Sequence, residues 1–425
     1  MRAHNINQTP SKPQESIRGA NRAALLRLAS NYPDIDRTLM AELAGLTTPA
    51  ITRISQELIS ANLLSELGSQ KSTGRGRKRQ SLRLNPNGGY VLGISILAFN
   101  TGVTLCNLAG EIIARKTVTP SDLTNPTSTL DEIAKTVNGM ISKNILDRRR
   151  MIGVGAAIAG YLDDSSEILM QSPYLGWPEF NIKRSLEDRL HLPVAIENVN
   201  RAIIIAETNI GITRGAKDVV LIRAALGLGG AIISNNELCR GHTNVAGQIG
   251  HIPARLDGKR CNCGKFGCLT TEASGFAVLQ RLGLSLNTDN GLEDLQHHGD
   301  ALRKVLNKAK TDPHTANVIS EAATALGFHS AAPVLMFNPE AVILTGPLGR
   351  NPIYHQAFKE QLKASGVKAD IRGGQEDEIK QPSEAAAGLA LSEHFFSASL
   401  NLEPLIEATA SNSIPFTTDE EVITL

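Results

Sequence analysis

The sequence predicts an α/β protein in two parts: a small N-terminal helix-turn-helix module with a β-hairpin wing, and a two-lobed α/β body. Three observations predict it. Residues 1–84 read as helix, helix, glycine-containing turn, helix and hairpin. From Gly89 onward apolar strands alternate with amphipathic helices, and a second such series begins near Asp218. Charge divides the chain at the same place: residues 1–84 hold thirteen Lys/Arg against six Asp/Glu, a surplus of seven, whereas the rest is negative by six. A basic module on an acidic body implies a polyanion partner for the module alone.

A chain of 425 residues is too long for one ordinary core. The domains expected are 1–84 for the winged module, 85–210 for the first lobe, 211–396 for the second, and a weakly ordered acidic tail over 397–425. The apolar share of 41% and charged share of 20% are globular values that exclude a disordered chain. No apolar run is long enough to span a membrane, and MRAHNINQTPSKPQES lacks the apolar centre of a secretory signal, so a cytoplasmic location is expected. Of five cysteines, Cys261, Cys263 and Cys268 fall within eight positions, which suits a reduced compartment and a metal site rather than a disulfide framework.

In the module, Asn21 to Asn31 has helical spacing with Ala24, Leu25 and Leu28 on one face. After Pro33 a second helix, Arg37 to Ala44, is expected to turn Leu39 and Leu43 inward and to end at Gly45. Thr48 as N-cap and Pro49 at the first helical position open a third helix, with Ile51, Ile54 and Leu58 facing the core. As the recognition helix it would present Thr47, Thr48, Ala50, Thr52 and Arg53 to base edges in the major groove. Two short strands, residues 63–67 and 81–84, flank the tip GSQKSTGRGRKRQ. Arg75, Arg77 and Lys78, with Lys71 and Arg79, can neutralise phosphates there, and Gly74 and Gly76 let the tip enter a narrow minor groove.

In the body, Tyr90 to Ile96, Val103 to Leu108 and Ile112 to Thr117 are strand-like, and Thr127 to Leu146 is helical. Strands over Met151 to Ile158 and Val194 to Glu197 enclose a helix from Ile182 to Leu190, and Ala202 to Ile210 is a further helix. The second series has strands at Asp218 to Ile222, Gly230 to Ile233 and Ala341 to Thr345, with helices at Thr315 to Met336 and Ser383 to Phe395. Between these elements His251, Cys261, Cys263 and Cys268 supply an imidazole and three thiolates. That closed Cys3His set suits a tetrahedral structural zinc with no position left for catalytic water. Cys106 and Cys239 are expected in apolar settings, as core residues.

Gly247-Gln248-Ile249-Gly250-His251, then Cys261-Asn262-Cys263-Gly264, Gly267-Cys268-Leu269 and Ala273-Ser274-Gly275, resemble the ROK family of repressors, open reading frames and sugar kinases. The resemblance covers roughly residues 18–395 and implies an actin-like ATPase fold for the body. The N-terminal module is similar to that of the family's glucose-, xylose- and N-acetylglucosamine-responsive repressors, and its kinases usually lack one. The resemblance therefore implies a DNA-binding regulator of carbohydrate or catabolic genes. It would be a homodimer or homotetramer on a palindromic double-stranded operator. The alternative is a ROK sugar kinase with an accessory DNA-binding domain.

The kinase motifs weigh against that alternative. The first phosphate loop of the family, Asp-x-Gly-Gly-Thr, reads Ser95-Ile96-Leu97-Ala98-Phe99. The catalytic carboxylate after Glu-Asn is Val199, which cannot accept a proton. The second phosphate loop remains partly as Gly227-Leu228-Gly229-Gly230. The resemblance places an effector site at Gly160, Asn198, Gln248 and His251. Relative to the family's hexose site, Val199, Gln248 and Thr270 stand for carboxylates and Tyr174 for an asparagine. Losing three acceptors would cost about 1–3 kcal/mol each for an unchanged hexose. That leaves a different carbohydrate-derived ligand, a protein effector, or no ligand.

Overall fold

The computed structural model describes residues 14–67, 81–98, 101–144, 146–172, 174–284, 292–374, 379 and 381–411. The module consists of α1 (Gln14–Asn31), β1 (Ile35–Asp36), α2 (Arg37–Ala44), α3 (Thr48–Ser60), β2 (Leu64–Leu67) and β3 (Ser81–Leu84). The strands β2 and β3 pair antiparallel, Leu64 with Leu84, and β1 adds to the other edge of β3. Leu25, Leu26, Met40, Ile51, Ile54, Leu58 and Leu82 are buried between them.

Two local expectations change here. On α2, Leu39 and Leu43 face outward, 39% and 46% exposed, while Met40 and Ala41 are buried. The cause is the cap: Asp36 accepts from the Thr38 and Leu39 amides, starting the helix at Arg37 while its neighbour Ile35 is fixed on β3, and this sets the helix rotation. On α3 the N-cap is Thr47 rather than Thr48 and makes no side-chain cap bond. Pro49 therefore sits at the second helical position, where its missing N–H is still one of the unpaired donors of a helix start.

The first lobe follows as β4 (Tyr90–Ile96), β5 (Gly102–Asn107), β6 (Ile112–Thr117), α4 (Pro126–Lys143), β7 (Met151–Ile158), a small sheet of β8 (Tyr161–Leu162), β9 (Ile168–Gln171) and β10 (Phe180–Asn181), then α5 (Ile182–Leu190), β11 (Val194–Asn198) and α6 (Val199–Asn209). The second lobe holds β12 (Val219–Ala224), β13 (Leu228–Ser234), β14 (Glu237–Leu238), α7 (Thr270–Ala273), α8 (Gly275–Arg281), α9 (Leu292–Lys308), α10 (Pro313–Phe337), β15 (Ala341–Thr345), α11 (Gly346–Gly349), α12 (Pro352–Ala364) and β16 (Asp370–Gly373). Sheet orders are β11-β7-β4-β5-β6 and β14-β13-β12-β15-β16. Counted from each lobe's first strand, both are the same arrangement: an antiparallel meander of three strands, then two parallel strands on the other side. The repeated series in the sequence is one topology used twice.

The C-terminal part corrects the expected domain limits. α13 (Pro382–Ala390) returns to the first lobe and lies on β4, β7 and α6 rather than on the second sheet. The approach needs glycine beneath it: a Cβ on Gly93 would lie 2.0 Å from the Ser383 carbonyl, and one on Gly155 1.9 Å from that of Ala386. The expected tail also contains structure, because α14 (Glu403–Ser411) follows a buried Leu400 and Leu402 and buries Leu405 and Ala408. Leu400, Leu402 and Leu405 share one core with Phe395, Phe396 and the module's Leu25, Leu26 and Met40. Residues 412–425 lie outside the described residues. Among the described residues no helix is long and apolar enough to cross a membrane.

The module is thus docked on the first lobe. A Cβ on Gly19 of α1 would lie 2.1 Å from the Ala398 carbonyl. Arg27 of α1 donates to Asn209 Oδ1 at 2.8 Å and to the Phe396 carbonyl at 3.0 Å, its guanidinium 5.1 Å from the Phe396 ring centre. Arg214 reaches back to Asn31 Oδ1 at 2.8 Å and Ser30 Oγ at 2.9 Å.

Candidate functional site

Three groups of residues carry chemistry. The first is the outer face of α3. Thr47, Thr48 and Arg53 are exposed there, with Ala50 and Thr52 half-buried. Thr52 donates its hydroxyl to the Thr48 carbonyl at 2.9 Å, so its side chain is engaged with its own helix. Gln56, one turn beyond Arg53, is exposed on α3 and was not among the residues expected from sequence. Its signal was present: it lies three positions after Arg53, on the side away from Ile51, Ile54 and Leu58. Arg75, Arg77 and Lys78 of the wing lie outside the described residues.

The second group is the cysteine loop. His251, at the end of a short turn from Ile249, comes together with Cys261, Cys263 and Cys268, their donor atoms all within 4.8 Å of one another. Cys261 Sγ is 3.6 Å from His251 Nδ1, and Cys263 Sγ is 3.6 Å from Cys268 Sγ. A tetrahedral ion bound at zinc-like lengths needs donor separations of about 3.6–3.8 Å, so these four residues fit a metal ion. Backbone bridges Pro253–Cys268 and Arg260–Phe266 close the loop. Gly267, at φ 69°, passes so close to Arg255 that a Cβ would meet its carbonyl at 1.7 Å. Burial and the nearby Lys265 hold His251 below the ordinary imidazole range, which keeps the neutral ligating form. By contrast, burial pushes the Cys106 thiol up to about 12, as befits an unreactive core side chain.

The third is a cleft of ≈ 530 Å³ between the lobes. Gly160, Asn198, Gln248 and His251 all line it. Asn198 ends β11 and caps α6: its Oδ1 accepts from the Asn200 amide at 3.0 Å and its Nδ2 donates to the Gly160 carbonyl at 3.0 Å. That cap starts α6 at Val199, three residues before the sequence places it. Gln248 is exposed at the cleft surface, and Thr270 donates its hydroxyl to the Gly250 carbonyl at 2.7 Å. His251 therefore belongs to both the cysteine loop and the cleft wall.

Sequence reasoning missed the group that spans the lobes beside this cleft. Buried Glu197 pairs with Arg201 at 3.5 Å and with Arg240. Arg201 donates to Asn244 Oδ1 at 2.6 Å, and Asn244 donates to the Asp163 carbonyl at 2.6 Å. The network ties the start of α6 to the stretch after β14. The i, i+4 spacing of Glu197 and Arg201 is a helix signal, but it straddles a strand end and a helix start, which hid it.

The positions that would serve phosphoryl transfer are apolar or small. Ser95, Leu97 and Ala98 are buried, and Val199 is 4% exposed at the first turn of α6. Phe99 lies outside the described residues. Residues 91–372 match the ROK family, two thirds of the chain. The chain belongs to the ROK family. It is 28% identical over 359 residues to the DNA-binding transcriptional dual regulator NagC of Escherichia coli K12, covering 83% of this chain and 87% of that protein. The xylose repressor of Bacillus subtilis 168 is 26% identical, over 78% of this chain and 83% of its own length. Among solved structures, a ROK family transcriptional regulator homologous to E. coli MLC has the same fold with TM-score 0.73, at 22% identity and covering 92% of this chain and all of its own. A ROK glucokinase of Streptomyces griseus, in complex with glucose and AMPPNP, is 28% identical with TM-score 0.56, covering 72% of this chain and all of the kinase. The fold of the body is therefore shared by solved ROK regulators and kinases.

Proposed function

We propose that this chain is a DNA-binding transcriptional repressor of carbohydrate or catabolic genes, with the ROK body as its effector and oligomerisation part. One observation carries the reading: a winged helix-turn-helix module packs against a kinase-like body that has Val199 where the family's catalytic base stands. A hydrocarbon side chain has no proton affinity to tune, so the body cannot activate a sugar hydroxyl. Its remaining capacity is to bind, close and shift the module.

Recognition of double-stranded DNA falls to Thr47, Thr48, Ala50, Thr52 and Arg53 at base edges and to Arg75, Arg77 and Lys78 on phosphates. A two-fold assembly, dimer or tetramer, would read a palindrome. The exposed Phe328, Leu335 and Met336 on α10 support a contact between copies. His251, Cys261, Cys263 and Cys268 would hold a structural zinc, which the soft thiolate-rich set favours. When bound, the ion would fix the loop that carries His251 to the cleft wall. Gly160, Asn198, Gln248 and His251 form the effector side of the cleft, with a carbohydrate-derived ligand as the expected occupant. α6 gives the effector a route to DNA, since its cap Asn198 lies in the cleft and it ends at Asn209, which holds Arg27 of the module.

The deciding experiment is a gel shift of the purified chain on its own promoter region at moderate salt, paired with an ADP-release assay over a sugar panel. A salt-sensitive, sequence-specific shift without turnover is expected. Absence of any shift, or sugar-dependent turnover above about 1 per second, overturns the reading.

A further inference from the structure

The five cysteines differ in their access to solvent. Cys106, Cys261 and Cys268 are buried and Cys239 is half-buried, whereas Cys263 alone is exposed. Its place is the tip of a turn. The Cys261 amide donates to the Lys265 carbonyl at 2.7 Å, and the Gly264 amide donates to the Cys261 carbonyl at 2.9 Å. Every residue from Asn262 to Phe266 is exposed. Beside Cys263, a Cβ on Gly264 would meet nothing within 4 Å, so the loop packs nothing over the tip at that point.

The inner side of the same loop holds a second sulfur within reach. Cys268 Sγ lies 3.6 Å from Cys263 Sγ, while Cys261 Sγ is turned to His251 Nδ1 at 3.6 Å. Cys268 is buried and fixed by its backbone. It bridges Pro253, and the Thr271 amide and hydroxyl both donate to its carbonyl, at 2.9 Å and 2.8 Å. One sulfur is thus open to solvent, and its neighbour is covered by the loop. That division suits a peroxide-reactive pair, in which an accessible sulfur meets the oxidant and an adjacent thiol resolves the product.

We propose that Cys263 and Cys268 form a peroxide-responsive thiol pair, with Cys263 as the residue oxidised first and Cys268 as its resolving partner. The Cys263 sulfur attacks one oxygen of hydrogen peroxide, forming an S–O bond as the O–O bond breaks. The departing hydroxide takes the Cys263 thiol proton and leaves as water. The Cys268 sulfur then attacks the Cys263 sulfur, so that the S–S bond forms and the S–O bond breaks. That hydroxide leaves with the Cys268 proton as a second water. Two thiols are oxidised to a disulfide while the peroxide, the two-electron oxidant, is reduced to two waters. The sulfurs must close from 3.6 Å to about 2 Å, a movement open to the exposed Cys263 side chain. Oxidation leaves Cys261 and His251 as the remaining donors of the cluster, and two donors no longer enclose a tetrahedral ion. The loop that carries His251 to the cleft wall then loses its anchor. This last consequence rests on the reading of the cleft as an effector site; the oxidation itself does not.

The test is titration of the purified full chain with hydrogen peroxide at neutral pH. It is followed by fragmentation mass spectrometry of its peptides and by a colorimetric chelator for released zinc. A Cys263–Cys268 cross-link should be the first product, with zinc released in step and a lower melting temperature. A thiol reductant with added zinc should reverse all three. Cys263→Ser should slow the loss of thiols from the loop roughly tenfold or more, whereas Cys239→Ser should leave it unchanged. The cross-link in the wild type decides the matter even where Cys263→Ser folds poorly. The idea is overturned if Cys239 or Cys106 oxidises first, if Cys263 links to Cys261, or if Cys263 passes to sulfinic acid with no cross-link. A cross-link formed with zinc still bound overturns it as well. Gel shifts on the same samples keep the failures apart: absence of a promoter shift before oxidation sinks the DNA-binding reading, while the mass spectra judge the thiol pair either way.

Discussion

Arg53 and Gln56 stand one turn apart on the outer face of α3, and neither has a partner role within the module core. An arginine fork presented this way suits the two acceptors of guanine, and a glutamine amide suits adenine. Arg53→Ala should therefore weaken specific binding by about 1–3 kcal/mol and relax preference at one base pair, read by competition between operator and scrambled DNA. Arg77→Ala should instead weaken all sequences alike and lower the salt slope by about 1. The cysteine loop gives a second prediction at this scale. Cys268 is buried among the donors, 3.6 Å from Cys263 Sγ, so Cys268→Ala should abolish stoichiometric zinc in elemental analysis and lower the melting temperature. Retention of one zinc per chain in that variant would remove Cys268 from the ligand set. That His251, Cys261, Cys263 and Cys268 come together was legible because their chemistry is written in spacing. Glu197, Arg201 and Asn244 were not, since their meeting depends on how two lobes face each other.

Among the elements, those that a sequence specifies locally were placed to the residue. β4, β6, β7 and β15 are apolar runs or alternations bounded by turn residues, and α5 is a short amphipathic helix between two of the strands. What failed was rotation and return. The inward face of α2 is set by the Asp36 cap and the pairing of Ile35, not by the leucines that its composition offers. The return of α13 to the first lobe is written in small residues far apart in the chain: Gly93, Gly155, Ser383, Ala386 and Ala387. That packing makes a sharp prediction. A β-branched side chain at Gly155 has no room beneath the Ala386 carbonyl, so Gly155→Val should destabilise the fold by about 3 kcal/mol or more in denaturant unfolding. An unchanged midpoint would mean that α13 can lift from β7 without cost.

For the whole molecule, the consequence of α13 and α14 is that the module and the body are one mechanical unit. Leu400, Leu402 and Leu405 lie in the same core as Leu25, Leu26 and Met40, and Gly19 meets the Ala398 backbone directly. The C-terminal segment thus works as a brace between α1 and the first lobe. None of its described residues lies on the outer face of α3. Its removal should nevertheless weaken operator binding, because the two modules of an assembly must hold a fixed separation to meet both half-sites. A chain ending at Ser397 is expected to melt at lower temperature and to lose affinity for a palindrome far more than for a single half-site. A chain ending at Ser411, which keeps α14, should behave as the full chain in both measurements. If the Ser397 truncation bound the palindrome with full affinity, the brace would contribute only to stability, and the route from cleft to DNA would have to run through α6 and Arg27 alone.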